Sequence, residues 1–123
     1  MEHSFEPIID RRSRLLILGS LPGAVSLKKN EYYANRLNRF WEILFSVMGR
    51  PISTDYLSKV MFLRDNHIAL WDVIKSAERT GSSDSNIKTA IANDIPKLLQ
   101  DNPAISFLIF NGRFSFNSYR KFF

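Results

Sequence analysis

The chain has 123 residues, 45% of them hydrophobic, enough for one domain with a true core, and a formal net charge of +5 that favours a polyanionic partner. It contains no cysteine, which excludes disulfides, a thiolate nucleophile, Cys-ligated zinc and iron–sulfur clusters. His3 and His67 are the only histidines, too few for a ligand cluster of their own, and no apolar run approaches the roughly 20 residues of a membrane-spanning helix.

Met1 to Asp10 carries Glu2, Glu6 and Asp10 among few apolar residues, which is not a signal peptide, and a cytoplasmic location is expected. Arg14 to Gly19 is a short apolar run entered from charged residues and left at glycine, the pattern of a buried parallel strand. Ser20 to Arg39 reads as one long polar loop, and loops of that length inside a compact domain are usually functional. Phe40, Trp41, Leu44, Phe45, Val47 and Met48 follow at helical spacing until Gly49-Arg50-Pro51. Asp55 to Arg64 reads as a second helix with Ser53 or Thr54 as N-cap, and His67 to Trp71 as a strand. After the turn-rich Gly81 to Ser85, the positions Ile87, Ile91, Ile95, Leu98 and Leu99 predict a helix broken locally by Pro96. Ile105 to Phe110 is the last expected strand, ending at Asn111-Gly112. Phe107, Phe110, Phe114 and Phe116 are expected in the core, and His67 in a structural role. Strands alternating with helices imply a three-layer α/β/α sandwich on a central parallel sheet, with ligands beyond the C-terminal strand ends.

The string Ile17-Leu18-Gly19-Ser20-Leu21-Pro22-Gly23, with Ser26, Tyr32-Tyr33-Ala34, Asn38 and Phe40-Trp41, resembles the uracil-DNA glycosylase superfamily, in the branch of hypoxanthine- and uracil-removing enzymes related to the mismatch-specific uracil glycosylases. Ala69 to Ile74, Glu78-Arg79, Gly81-Ser82, Asp84-Ser85, Asn93 to Ile95, Phe110 to Gly112 and Tyr119 extend the resemblance over nearly the whole chain from about residue 14. Two departures stand out. Asn35-Arg36 replaces a common His-Pro, and the family continues past the Asn-Gly strand into a further helix, strand and Ser- and Pro-rich loop. A single domain over residues 1–123, shortened at its C-terminal side and lacking its last strand, is therefore the expectation. Arg120 to Phe123 reads as the start of an amphipathic helix.

The resemblance implies a metal-free and cofactor-free DNA glycosylase. It flips a deaminated base, uracil or hypoxanthine, out of the duplex and lets water replace it at the anomeric carbon. The expected partner is DNA holding such a base, in base excision repair, with a nucleoid-associated monomer as the working form. Asn38, and Ser20 within the Gly19–Gly23 turn, are the catalytic candidates. Asn38 has an equally simple role as N-cap of the Phe40 helix. Gly19, Leu21, Pro22, Tyr33 and Asp72 are the base-binding candidates: glycine and proline let the backbone approach, Tyr33 stacks on the base, and Asp72 accepts the base N–H. Asp72 could instead cap a following helix or pair with Arg79, the tyrosines could simply pack the loop, and Gly19 to Gly23 could be a plain turn. Leu21 stands where mismatch-specific relatives have a water-activating Asn, and an apolar side chain cannot orient water. Ser83, Asp84 and Asn111 are further pocket candidates, each with an ordinary cap or turn role. Lys28, Lys29, Arg36 and Arg39 are the expected phosphate contacts, against a background of solvated charge. Two other functions remain open: a shortened or degenerate relative that binds DNA without turnover, and a small-molecule nucleotide-binding or hydrolase domain sharing only the sheet, although neither a Walker-type loop nor a nucleophile elbow is present.

Overall fold

The computed structural model describes residues 1–123. In chain order the elements are β1 (Glu2–His3), β2 (Leu15–Gly19), α1 (Ala24–Lys29), α2 (Phe40–Val47), α3 (Tyr56–Asp65), β3 (Ile68–Asp72), β4 (Ile74–Glu78), a 3-10 turn (Asp84–Asn86), β5 (Lys88–Ala92), α4 (Ile95–Asp101), β6 (Phe107–Phe110) and α5 (Arg113–Phe122). Three strands form a parallel sheet in the order β3-β2-β6, and a second sheet, β1-β4-β5, is antiparallel.

The parallel sheet sits between two apolar layers because side chains alternate across each strand. Ile17, Ile68 and Leu70 face Trp41, Phe45 and Leu63 of α2 and α3, while Leu16, Leu18 and Ala69 face Ile95 on the other side. This is the expected three-layer α/β/α arrangement with a parallel centre. Trp41 is fixed further by donating from Nε1 to the Tyr32 carbonyl at 2.8 Å.

Several local expectations differ from the structure. The long loop contains α1, a six-residue helix closed by Asn30 in the left-handed conformation. So short a helix leaves almost no periodic signal. The N-cap of α3 is Asp55, whose carboxylate accepts from the Ser58 amide at 3.0 Å, rather than Ser53 or Thr54. Residues 88–92 form β5, not the first turns of a helix. The Asp94 side chain accepts from the Lys97 amide at 3.1 Å and Pro96 occupies the first turn, so α4 starts there. Proline marks the beginning of this helix, not a break within it. Asp72 is followed by β4 and caps no helix.

Phe107 is 68% exposed and Phe116 41% exposed, so neither is a core residue. β6 pairs only with β2, and its Phe107/Ile109 face is not reached by the α2–α3 layer. Its opposite face, Leu108 and Phe110, does pack. Arg120 to Phe123 closes a helix that began at Arg113. His67 has φ of 60°, and its Nδ1 is buried without a partner at the entrance to β3, away from the cavity described next.

Candidate active site

The registers of the parallel sheet decide what meets at its C-terminal end. Gly19 lies beside Asp72, and Leu18 beside Phe110, so Asp72, Gly19 and Asn111 form a row across three strands. Backbone pairing carries on past the strand ends, where the Val73 amide donates to the Gly19 carbonyl at 2.8 Å and the Asn111 amide to the Leu18 carbonyl at 2.8 Å. Above this row opens a cavity of about 470 Å³. Ligand sites of α/β sheets commonly occupy this position.

Its floor is Gly19. A Cβ on that residue would lie 2.5 Å from Asp72 Oδ1 and 2.6 Å from Tyr33 Oη, so glycine is what allows both polar groups to converge there. Asp72 is only 3% exposed, Asp72 Oδ2 and Tyr33 Oη have no hydrogen-bond partner, and Asp72 makes no contact with Arg79 that counts as an ion pair. Burial pushes the Asp72 carboxyl up to about 7, the neighbouring Asp84 adds to the rise, and Arg79 opposes it. Burial also raises the Tyr33 phenol, with Asp72 reinforcing the effect, Asn111 opposing it and Asp84 raising it further. Two buried, unpaired polar groups cost free energy unless a ligand completes them.

Tyr33 reaches the floor from a left-handed backbone, φ 53°, unusual for a non-glycine residue. Phe40 stacks on its ring at 4.0 Å with planes 25° apart. That contact occupies one face of the ring predicted to stack on a base, and the hydroxyl is what points at the floor. Tyr32 is core: its hydroxyl donates to the Glu6 carbonyl at 2.9 Å and its ring meets Phe5 edge-on.

Ser20, Leu21 and Pro22 continue from Gly19 along one wall. Leu21 is buried with Ile74 and Ala77. Ser20 Oγ donates to Asp84 Oδ1 at 2.9 Å, bridging to the loop after β4. Asp84 and Ser82 line the cavity, whereas Ser83 faces solvent and bonds Ser85. Ser82 Oγ accepts from the Ala24 amide at 2.9 Å, capping α1 from another loop. Opposite stand Asn35, Leu37 and Asn38. The N-cap of α2 is Arg39 and not Asn38, which stands one residue earlier; Asn38 Oδ1 accepts from the Phe40 amide at 2.8 Å in a local turn, while its amide group stays free to donate.

The four predicted phosphate contacts lie outside the cavity lining. Lys28 and Lys29 end α1 on the surface, Arg36 is exposed, and Arg39 makes an exposed pair with Glu42 at 3.3 Å, too weak to hold it from other anions. Arg79, read from sequence only as a possible partner of Asp72, has a fully buried side chain that binds Glu2 at 2.8 Å and Asp84 at 3.7 Å. It also donates to the Pro22 carbonyl. Sequence gives no signal for this hub, because Glu2, Pro22 and Asp84 are distant from it or from each other along the chain.

The model of the Uracil DNA glycosylase superfamily matches residues 6–122. Two Methanosarcina proteins named hypoxanthine DNA glycosylase are similar to this chain. The one from M. barkeri is 39% identical over 113 residues, 91% of this chain and 72% of its own length. The one from M. acetivorans is 37% identical over 114 residues, 92% of this chain and 72% of its own length. The fold is similar to the solution NMR structure of an M. acetivorans protein taken to be a uracil DNA glycosylase. That likeness has a TM-score of 0.86 at 35% identity, covering 98% of this chain and 75% of the other.

Proposed function

The chain belongs to the uracil DNA glycosylase superfamily, and from that footing we propose that it is a DNA glycosylase that hydrolyses the N-glycosidic bond of deaminated bases, hypoxanthine foremost and uracil as a second substrate. The observation that carries this reading is the floor of the cavity, where Asp72 and Tyr33 converge over Gly19 with polar atoms that nothing in the protein satisfies. Hypoxanthine and uracil each present an N–H beside a carbonyl. An ionised Asp72 accepts from the N–H, and the Tyr33 hydroxyl donates to the carbonyl oxygen. Adenine and cytosine present an amino group beside a bare ring nitrogen, which mismatches both contacts. The names of the two Methanosarcina relatives support hypoxanthine, and a cavity of about 470 Å³ accommodates a bicyclic base.

Asn38, with its amide free, donates to the departing base as negative charge develops on it. Lys28, Lys29, Arg36 and Arg39 supply positive charge for the DNA backbone around the mouth. The test is base release from oligonucleotides carrying one deoxyinosine or deoxyuridine, single- and double-stranded, with an undamaged duplex as control because guanine shares the N–H and carbonyl pair. Release from the deoxyinosine strand exceeding that from deoxyuridine, and none from the control, is expected. Absence of release at protein excess would sink the reading.

The Asp72 setting adds a pH dependence. The ionised carboxylate binds the base N–H through a charge-assisted hydrogen bond that the protonated acid makes more weakly, so kcat/KM falls as pH drops through about 7. Asp72→Asn keeps a side-chain oxygen but no titration, and its profile should lose this limb. Stability moves the other way. Because the folded carboxyl holds its proton up to about 7 while the unfolded chain loses it near 3.8, folding stability falls as pH rises across that window. Asp72→Asn should therefore melt at a higher temperature than the wild type at pH 8; an equal or lower melting temperature would argue against a buried, unpaired carboxylate.

A further inference from the structure

The cavity holds two carboxyl groups in opposite settings. Asp72 lies at the floor, almost fully buried and without partners; Asp84 stands at the wall with 40% of its side chain exposed. Asp84 Oδ1 accepts from Ser20 Oγ at 2.9 Å and lies 3.7 Å from Arg79 Nη1. Arg79 is pinned in turn by Glu2, by the Pro22 carbonyl and by the Ser82 carbonyl at 3.5 Å. The carboxylate is thus fixed through one oxygen, while Oδ2 makes no hydrogen bond within the protein.

Hydrolysis needs an acceptor for a proton of the attacking water. Leu21 offers none, the Asn38 oxygen already accepts from the Phe40 amide, and Ser20 spends its proton on Asp84. Asn111 has a carboxamide, which orients water but does not take up a proton. With the base edge on Asp72 at the floor, the sugar lies nearer the mouth, and Asp84, which lines the cavity with 40% of its side chain exposed, is the carboxylate that remains open to solvent.

We propose that Asp84 is the general base of the reaction, held in place by Ser20 and Arg79, an assignment that rests on the base-release reading above. Asp84 Oδ2 accepts one proton of the water as its oxygen bonds to the anomeric carbon. The bond from that carbon to the base nitrogen breaks, its electron pair leaves with the base, and the base takes a proton from solvent. Asp84 then returns its proton to solvent. The products are the free base and an abasic sugar. Ser20 is a positioning residue in this scheme.

The experiment is single-turnover base release from deoxyinosine DNA by the full chain and its variants, with binding measured on DNA whose glycosidic bond is stabilised by 2′-fluorination. Asp84→Asn keeps an oxygen for Ser20 and should lower release at least about 100-fold while binding stays within threefold. Azide needs no proton removed. Added to Asp84→Ala, it should restore release and leave an azide on the sugar. Ser20→Ala should lower kcat with KM unchanged. Three results would overturn the assignment: Asp84→Asn turning over within threefold of wild type, losing binding in step with release, or Asp84→Ala ignoring azide. Should the wild type itself release nothing, the base-release reading fails first, and that outcome is separate from an active wild type with an active Asp84→Asn.

Discussion

Gly19→Ala should weaken productive capture of the base about 100-fold or more while leaving affinity for undamaged duplex DNA unchanged. The added methyl would stand 2.5 Å from Asp72 Oδ1 and 2.6 Å from Tyr33 Oη, closer than real Cβ atoms come to anything. Both neighbours are side-chain ends, so the backbone need not move, but each must leave the floor. Asp72 has little room to do so. Its strand is locked by Asn93, whose Nδ2 donates to the Asp72 carbonyl at 2.7 Å. A displacement of about 1 Å in such a contact costs on the order of 100-fold in rate, and two contacts shift together here. The expected result is kcat/KM for deoxyinosine DNA lowered about 100-fold or more. Retained kcat/KM would mean that the base does not sit over Gly19, and the floor would lose its role.

Asn38 carries two functions that a pair of substitutions separates. Its oxygen accepts the Phe40 amide at 2.8 Å, and its amide group is free beside the cavity. Asn38→Ala removes both, costing about 1 kcal/mol of stability through the lost hydrogen bond to the Phe40 amide and roughly 100- to 1,000-fold in kcat through the lost donor. Asn38→Asp restores an acceptor at the start of α2, where a negative charge is favourable, but has no donor. Its stability should return to that of the wild type and its kcat should not. Recovery of kcat in Asn38→Asp would reduce Asn38 to a turn residue ahead of α2.

The parallel sheet was legible because Leu15 to Leu18, Ile68 to Leu70 and the Leu108/Phe110 pair concentrate apolar side chains in short runs, and α2 was legible from its 3.6-residue spacing. Once three parallel strands are placed, their C-terminal ends must share one edge, so the gathering of Gly19, Asp72 and Asn111 follows from residue order. The antiparallel sheet was not legible. β4 alternates through Lys75, Ser76 and Ala77 with little apolar contrast, and Ile87, Ile91 and Ile95 imitate a helix although β5 ends before Asp94. Side-chain chemistry that depends on depth was hidden too. Asp72 and Asp84 look alike as letters, and only burial separates a carboxyl that rises to about 7 from one tethered by a serine and an arginine. Nor does sequence reveal that the hydroxyl of Tyr33, more than its ring, meets the floor.

The tie between Glu2 and Arg79 has a practical side for anyone preparing the protein. β1 is two residues long, and Glu2 supplies one of the two carboxylates that neutralise a fully buried guanidinium. A protease nick after His3, trivial by mass, would strip Arg79 of that neighbour and leave Asp84 as its only carboxylate. A batch clipped there would pass as pure on a gel while the wall of its cavity had lost its anchor. Intact mass at the N-terminus is therefore the quality check that belongs beside every rate measured on this protein.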